Sequence, residues 1–519
     1  MQIISSQDLK ATILGDREFA LIDVREQGTF SQSHLLFAVC VPLSQLELMV
    51  APLIPKKDTR VVVVDESAAA GGFGERGVAR LEESGYTNVL ILGGGVQGWK
   101  AAGHELFSGV NVPSKAFGEF VENTYNTPRL PAKEVKAMLD AGRNMVIVDS
   151  RPFTEYHNMN IPTGTNMPGA ELAYRIHDLA PDPETLVVVN CAGRTRSIIG
   201  CQSLINAGIR NPVAALKDGT MGWHLAGFKV EKGSVREASA PGPDGKEKAL
   251  QAATRVAARF DVKTVPAATV ERWKDDGART TYLLDVRSPA EYEAGHLPGW
   301  RHAPGGQLVQ ATDEYVAVKN SRIVLCDDIG VRATMTASWL IQMGLPEVYV
   351  LEDGAAGAEL IVDAAAPTAA NVPTLSPAQL AASSDVTVID VGPSNSYERS
   401  HIPSAVWCTR ARLPEVLEAL AGMLVFTSPD GVLASFATAD AIHAGRESAA
   451  LEGGTDAWVS EARCIETGLE HAMGPTDDVW YKPYEHRGAQ ERYMREYLSW
   501  EVALVEQLER DGTTRFRVF

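Results

Sequence analysis

The chain has 519 residues, 45% apolar and 22% charged, the balance of an ordinary globular protein. Its 66 acidic and 48 basic residues leave a net charge of −18, with no basic cluster and no aromatic-basic alternation, which argues against a nucleic-acid partner. No apolar run reaches the roughly 18 residues that cross a membrane, and the six cysteines (40, 191, 201, 326, 408 and 464) form neither a CxxC pair nor a Cys/His cluster, so zinc and a disulfide framework are excluded in favour of reduced thiols.

Met1 to Leu9 reads as a first strand and helix cap, leaving no space for a signal peptide. Leu21-Ile22-Asp23-Val24-Arg25 follows as an apolar strand ending in an acid and a turn. That layout returns at Asp149, Asp285 and Asp390. After each, a second apolar strand ends, at Glu66, Cys191, Asp327 and Ser428, at separations of 43, 42, 42 and 38 residues. The glycine closing the next helix (Gly85, Gly208, Gly344, Gly445) lies 19, 17, 17 and 17 residues further on, so the first loop reads as two residues longer. A last strand and turn close each unit, running to Trp99, Trp223, Ala358 and Trp458. Repetition at this period predicts four tandem α/β domains, at 1–110, 125–232, 260–362 and 372–470. Alternating strands and helices predict in each a mostly parallel sheet with helices on both faces.

Pro- and Gly-containing residues 238–245 separate the halves and lead into a short Ala-rich helix from Glu247 to Arg259, and residues 364–370 separate domains three and four. The tail, 471–519, carries Trp480, Tyr481, Tyr484, Tyr493, Tyr497 and Trp500 with helical spacing from Glu491 to Glu509. Rings in this number should pack against another domain or a second subunit, with substrate binding as the alternative.

The most informative stretch is 186–197, where Leu186 to Asn190 form a strand and Cys191, Ala192, Gly193, Arg194, Thr195 and Arg196 form a tight loop before a helix. Inward amides, the helix N-terminus and two guanidinium groups are expected to lower the Cys191 pKa and free a thiolate near neutral pH.

The Asp-x-Arg turns, the His-Ile/Leu-Pro element at His34, His296 and His401, the Cys191 loop and the Gly-Gly…Trp turn together resemble the rhodanese family of sulfurtransferases over about residues 1–470. The second unit departs from it with Asn160-Ile161-Pro162, and that histidine is read as scaffold rather than chemistry. The resemblance implies one working site. There Cys191 attacks a sulfane donor such as thiosulfate and carries its sulfur as a persulfide to a thiol or cyanide acceptor, with no cofactor and no metal. Arg194 and Arg196 would hold the anionic donor, and the loop amides the persulfide. A cytoplasmic setting is expected, with room for a protein acceptor and for a homodimer.

Two other readings compete. A Cys-based phosphatase or arsenate reductase has five residues between Cys and Arg, where this loop has four. A carrier or scaffold would instead hand a persulfide to a partner protein. Gly93 to Gly98 fits GxGxxG but reads as a structural turn, and Gly71 to Gly74 lacks the Lys-Ser/Thr of a phosphate loop. Domains one and four read as inert, with Glu66 and Ser428 at the nucleophile position and Leu433 where Arg196 stands. In domain three the count back from Gly344 puts Asp327 in the place of Cys191, so Cys326 should face away from the cradle and Asp327 should fill it.

Overall fold

A computed structural model describes residues 1–362, 369–486 and 488–519. The second, third and fourth repeats build the same five-stranded parallel sheet, and the first adds to it a sixth, antiparallel strand, Val318–Lys319, paired with Ala20 and Phe19. In the second, the strand order is Arg129–Leu130, Val213–Leu216, Leu186–Asn190, Met145–Asp149, Thr165–Asn166. The third runs Lys263–Val265, Glu347–Leu351, Arg322–Cys326, Thr281–Asp285, Arg301–His302, and the fourth follows the same path from Thr374–Leu375 to Val406–Trp407. Helices cover both faces, so central strands such as Leu186–Asn190 and Val61–Val64 are buried throughout and read as unbroken aliphatic runs.

Two buried devices stiffen the repeats. In the first three, the aspartate ending a strand pairs with the arginine two residues on (Asp23–Arg25, Asp149–Arg151, Asp285–Arg287, each at 2.6 or 2.7 Å). The same arginine donates to the carbonyl eight residues ahead. The fourth repeat has Gly392 there, and burial without a cation pushes Asp390 up to about 7. The second device is the His element: His34, His296 and His401 each bond by Nδ1 to the carbonyl four residues back. Asn160 does the same work through its amide, donating to Tyr156 O at 3.1 Å, which explains how the second repeat dispenses with the histidine.

The chain divides into two compact units. One comprises Met1–Ser6, Leu21–Val110 and Ala365–Tyr481. Inside it Arg410, 2% exposed, grips Glu47 through both terminal nitrogens and Asp440 through Nε. The other comprises Gln7–Ala20, Asn111–Ala364 and Lys482–Phe519. Here the expected short Ala-rich helix is an 18-residue helix, Pro243–Phe260. Its Ala249, Ala252, Ala253, Val256 and Phe260 pack among Ala173 and Tyr174 of the second repeat and Val331 and Met335 of the third. Small side chains let the backbones approach, so this stretch is core rather than spacer. Of the expected 364–370 linker, residues 364–368 lie outside the described residues. The tail forms the helix Gln490–Asp511. Among the described residues no helix is long and apolar enough to cross a membrane.

Candidate active site

Cys191 follows the buried strand Leu186–Asn190 and precedes the helix Thr195–Ala207. A turn from the next strand fixes its loop. Thr220 N and Oγ1 donate to Cys191 O at 2.8 and 3.0 Å, and Met221 N donates to Ala192 O at 2.9 Å. That turn needs Gly219, which has φ +56 and whose missing Cβ would lie 2.5 Å from Cys191 O. In the first repeat Gly95, inside the GxGxxG-like stretch, has the same place and tightness against Asp65 O, so that stretch is a structural turn.

The thiol donates to Ser197 Oγ at 3.5 Å, and the Ser197 hydroxyl and backbone N–H at the helix N-terminus both act to lower its pKa. Arg196 adds an attractive charge. Even so, the thiol titrates above its ordinary range rather than below it, because burial at 2% exposure outweighs those contacts and Glu501 pushes the same way. The expected lowered pKa is therefore corrected: the cues in the loop are present, but desolvation is larger.

The two arginines have different surroundings. Arg196 is held by Glu155 at 2.9 and 3.1 Å and by Gln307 Oε1 at 3.2 Å, and it keeps Glu155 down at about 2. Arg194, expected at the donor, turns instead to three carboxylates: Glu119 at 2.6 and 2.7 Å, Glu122 at 2.6 Å and Asp218 at 3.0 Å. With these partners it clamps the loop to the helix Val112–Tyr125. Thr195 packs against the same helix at Gly118, where a Cβ would come within 2.8 Å of its Cγ2.

That helix lies ahead of the expected start of the second domain. Its signal was present in Pro113 at the first turn and in buried Ala116, Phe117 and Val121 at helical spacing. The C-terminal helix also reaches the loop. Glu501 Oε1 accepts from Thr195 Oγ1 at 3.3 Å and from Tyr497 OH at 3.0 Å, and Lys115 lies over the Tyr497 and Trp500 rings at 5.4 and 5.2 Å. The tail aromatics thus pack on a neighbouring domain and border the Cys191 loop at once. Among the described residues no group of three or more His, Cys, Asp or Glu side chains could hold a metal ion.

The other repeats show what fills the equivalent place. Asp285 pairs in register with Cys326 as Asp149 pairs with Asn190. Cys326 is accordingly buried among Val265, Val270, Leu283 and Trp300, and Asp327 accepts from the backbone N–H groups of Ile329, Gly330, Arg332 and Ala333. In the fourth repeat Ser428 Oγ accepts from Ala434 N at 3.2 Å. In the first repeat the residue is Asp65, not Glu66. Val24 N donates to Val64 O where Ser150 N donates to Asn190 O, and Val96 N donates to Asp65 O where Thr220 N donates to Cys191 O. The strand therefore ends one residue earlier than its sequence suggests. Asp65 lies 42 residues after Asp23, as in repeats two and three, and the loop beyond is longer by three residues rather than two. Asp65 accepts from Gly74 N at 2.9 Å, and Glu66 points to Arg25 at 2.7 Å.

The family model for the rhodanese-like domain matches residues 5–102, 131–226, 266–358 and 376–461. The chain belongs to the rhodanese family. Among solved structures this rhodanese is similar to a thiosulfate sulfurtransferase from Pseudomonas aeruginosa, 47% identical, with a TM-score of 0.93 and 100% of both chains covered. Among curated proteins it is 34% identical over 90 residues to the HTH-type transcriptional regulator Rv0324 of Mycobacterium tuberculosis, covering 17% of this chain and 39% of that one. It is 36% identical over 78 residues to the uncharacterized protein YqhL of Bacillus subtilis, covering 15% and 60%. The chain thus spans less than two thirds of the length of either curated relative.

Proposed function

We propose that this rhodanese is a sulfurtransferase in which Cys191 of the second repeat attacks the outer sulfur of thiosulfate or a similar donor, releases sulfite, and passes the sulfur from a persulfide to a thiol or cyanide acceptor. The observation that carries the reading is the exchange of one side chain at one position: Cys191 stands where Asp65, Asp327 and Ser428 stand in the sister repeats. In the third repeat the amides at the helix N-terminus converge on a carboxylate there, so the position is built to hold negative charge. In the second repeat a thiolate or persulfide anion takes that place, with Ser197 N–H and Arg196 beside it.

The full-length likeness to a thiosulfate sulfurtransferase supports the same reaction. Both partners are small molecules in this reading, and Arg196 rather than Arg194 attracts the donor. The six free cysteines suit a reducing compartment such as the cytoplasm. The test is incubation with thiosulfate and mass spectrometry of the Cys191 peptide, followed by steady-state turnover with cyanide. One added sulfur with parallel double-reciprocal lines is expected. Loading without turnover favours a carrier, and no loading at Cys191 removes the assignment.

A further inference from the structure

One group beside the Cys191 loop is unused by that scheme. Glu501, 2% exposed, comes from the C-terminal helix, and its Oε2 has no hydrogen-bond partner among the described residues. This oxygen lies 3.2 Å from where a Cβ on Gly193 would stand, so it borders the middle of the loop. The other carboxylates around the loop are held by arginine: Glu119, Glu122 and Asp218 by Arg194, and Glu155 by Arg196. A buried carboxylate oxygen with no donor is costly unless something brings it one.

We propose that Glu501 is the proton acceptor for the sulfur-accepting thiol, which makes the C-terminal helix part of the active site and the acceptor a small, uncharged thiol. The proposal rests on the persulfide reading above. The acceptor's S–H bond breaks and its proton goes to Glu501 Oε2. The freed sulfur lone pair forms a bond to the outer sulfur of the Cys191 persulfide, and the persulfide S–S bond breaks with its electron pair on Cys191 Sγ, which leaves as thiolate. A sulfane sulfur changes partner, and no external oxidant or reductant is consumed.

The surroundings suit proton exchange. Burial and Glu119 raise the Glu501 pKa, Lys115, Arg194 and the Tyr497 hydrogen bond lower it, and it settles at about 7. Lys115, facing it from the helix Val112–Tyr125, is itself drawn down to about 8 by burial. Arg196 and Cys191 also face the cluster, and Asp313 and Glu314 act on Lys115 to raise its pKa.

The experiment uses the full chain, loads Cys191 with thiosulfate, removes the excess, and follows loss of the persulfide by mass spectrometry near pH 7. Two probe acceptors are compared: 2-mercaptoethanol, which still carries its proton, and thionitrobenzoate, which is already ionised. Glu501→Gln removes a charge that raises the Cys191 pKa, so it should load at least as fast as the unaltered protein, unload to 2-mercaptoethanol at least roughly ten-fold more slowly, and unload to thionitrobenzoate no more slowly than the unaltered protein. Tyr497→Phe, which removes one of the two hydrogen bonds to the other carboxylate oxygen and leaves that from Thr195 Oγ1 while keeping the ring, should show a smaller defect of the same selectivity. Equal slowing with both acceptors, slowed loading, or no slowing with either would overturn the proposal. Absence of loading in the unaltered protein would instead remove the persulfide reading on which it stands.

Discussion

Asp327 holds in the third repeat the place that Cys191 holds in the second. Asp327 Oδ2 accepts from the N–H of Ala333, six residues on, at 3.1 Å, and the Cys191 thiol meets Ser197, also six residues on, with Oγ 3.5 Å away. The Asp327 side chain thus takes the N-terminal amides in one repeat, and in the other the proposed reaction would place the sulfur anion of Cys191 there. Cys326, one residue earlier, faces the opposite side of the strand.

Cys326 should therefore be inert. Burial and the nearby Asp285 and Asp327 carboxylates hold its thiol well above the ordinary range. Alkylation of the native protein near neutral pH with peptide mapping should leave it unlabelled, and Cys326→Ser should keep sulfur transfer within about two-fold. A large loss of activity with rapid labelling would show that the register is wrong.

Replacing the nucleophile should have the opposite effect. Cys191→Ser nearly keeps the shape but removes the polarisable thiolate, so thiosulfate:cyanide turnover should fall at least about a hundred-fold. Because burial raises the Cys191 pKa, the alkylation rate of the unaltered protein should keep rising with pH beyond the range of an ordinary thiol. Arg196→Ala removes the attractive charge and should move that rise to higher pH still, while Arg196→Lys restores part of it.

Acid stability should report the two arginine-held glutamates. Glu155 and Glu291 are each lowered from 4.5 to about 2, beside Arg196 and Arg332 respectively. A group whose folded pKa is depressed stabilises the fold fully above its unfolded value and loses that contribution as pH falls through the folded one. Stability should thus decline between about pH 4.5 and 2, and Glu155→Gln should flatten part of the decline in a urea titration against pH. An unchanged slope would rule out this linkage.

The fourth repeat should behave in the reverse sense. Asp390 is raised from 3.8 to about 7, so its protonated form suits the fold, and stability is lost as pH rises from about 4 through 7. Asp390→Asn keeps a neutral side chain of the same shape and should raise the melting temperature at pH 8 by several degrees, roughly 2–4 °C per kcal/mol recovered. The gain should vanish near pH 4.

Much of this was legible in the chain. Four repeats, their parallel sheets and the single cysteine loop follow from apolar runs, turn residues and fixed spacings, because strand burial and glycine turns are local in origin. The offset of Cys326 followed from the same counting, since side-chain direction alternates along a strand. Counting failed at Asp65, where an insertion of three residues lies inside the loop and only the ladder bonds from Val24 and Val96 reveal where the strand ends. The fate of Arg194, the high pKa of Cys191 and the arrival of Glu501 were decided by tertiary structure. Each depends on helices 72 or more residues distant in sequence that bury the loop and bring carboxylates to it. Burial and long-range charge act through space, and a single sequence fixes distances only along the chain.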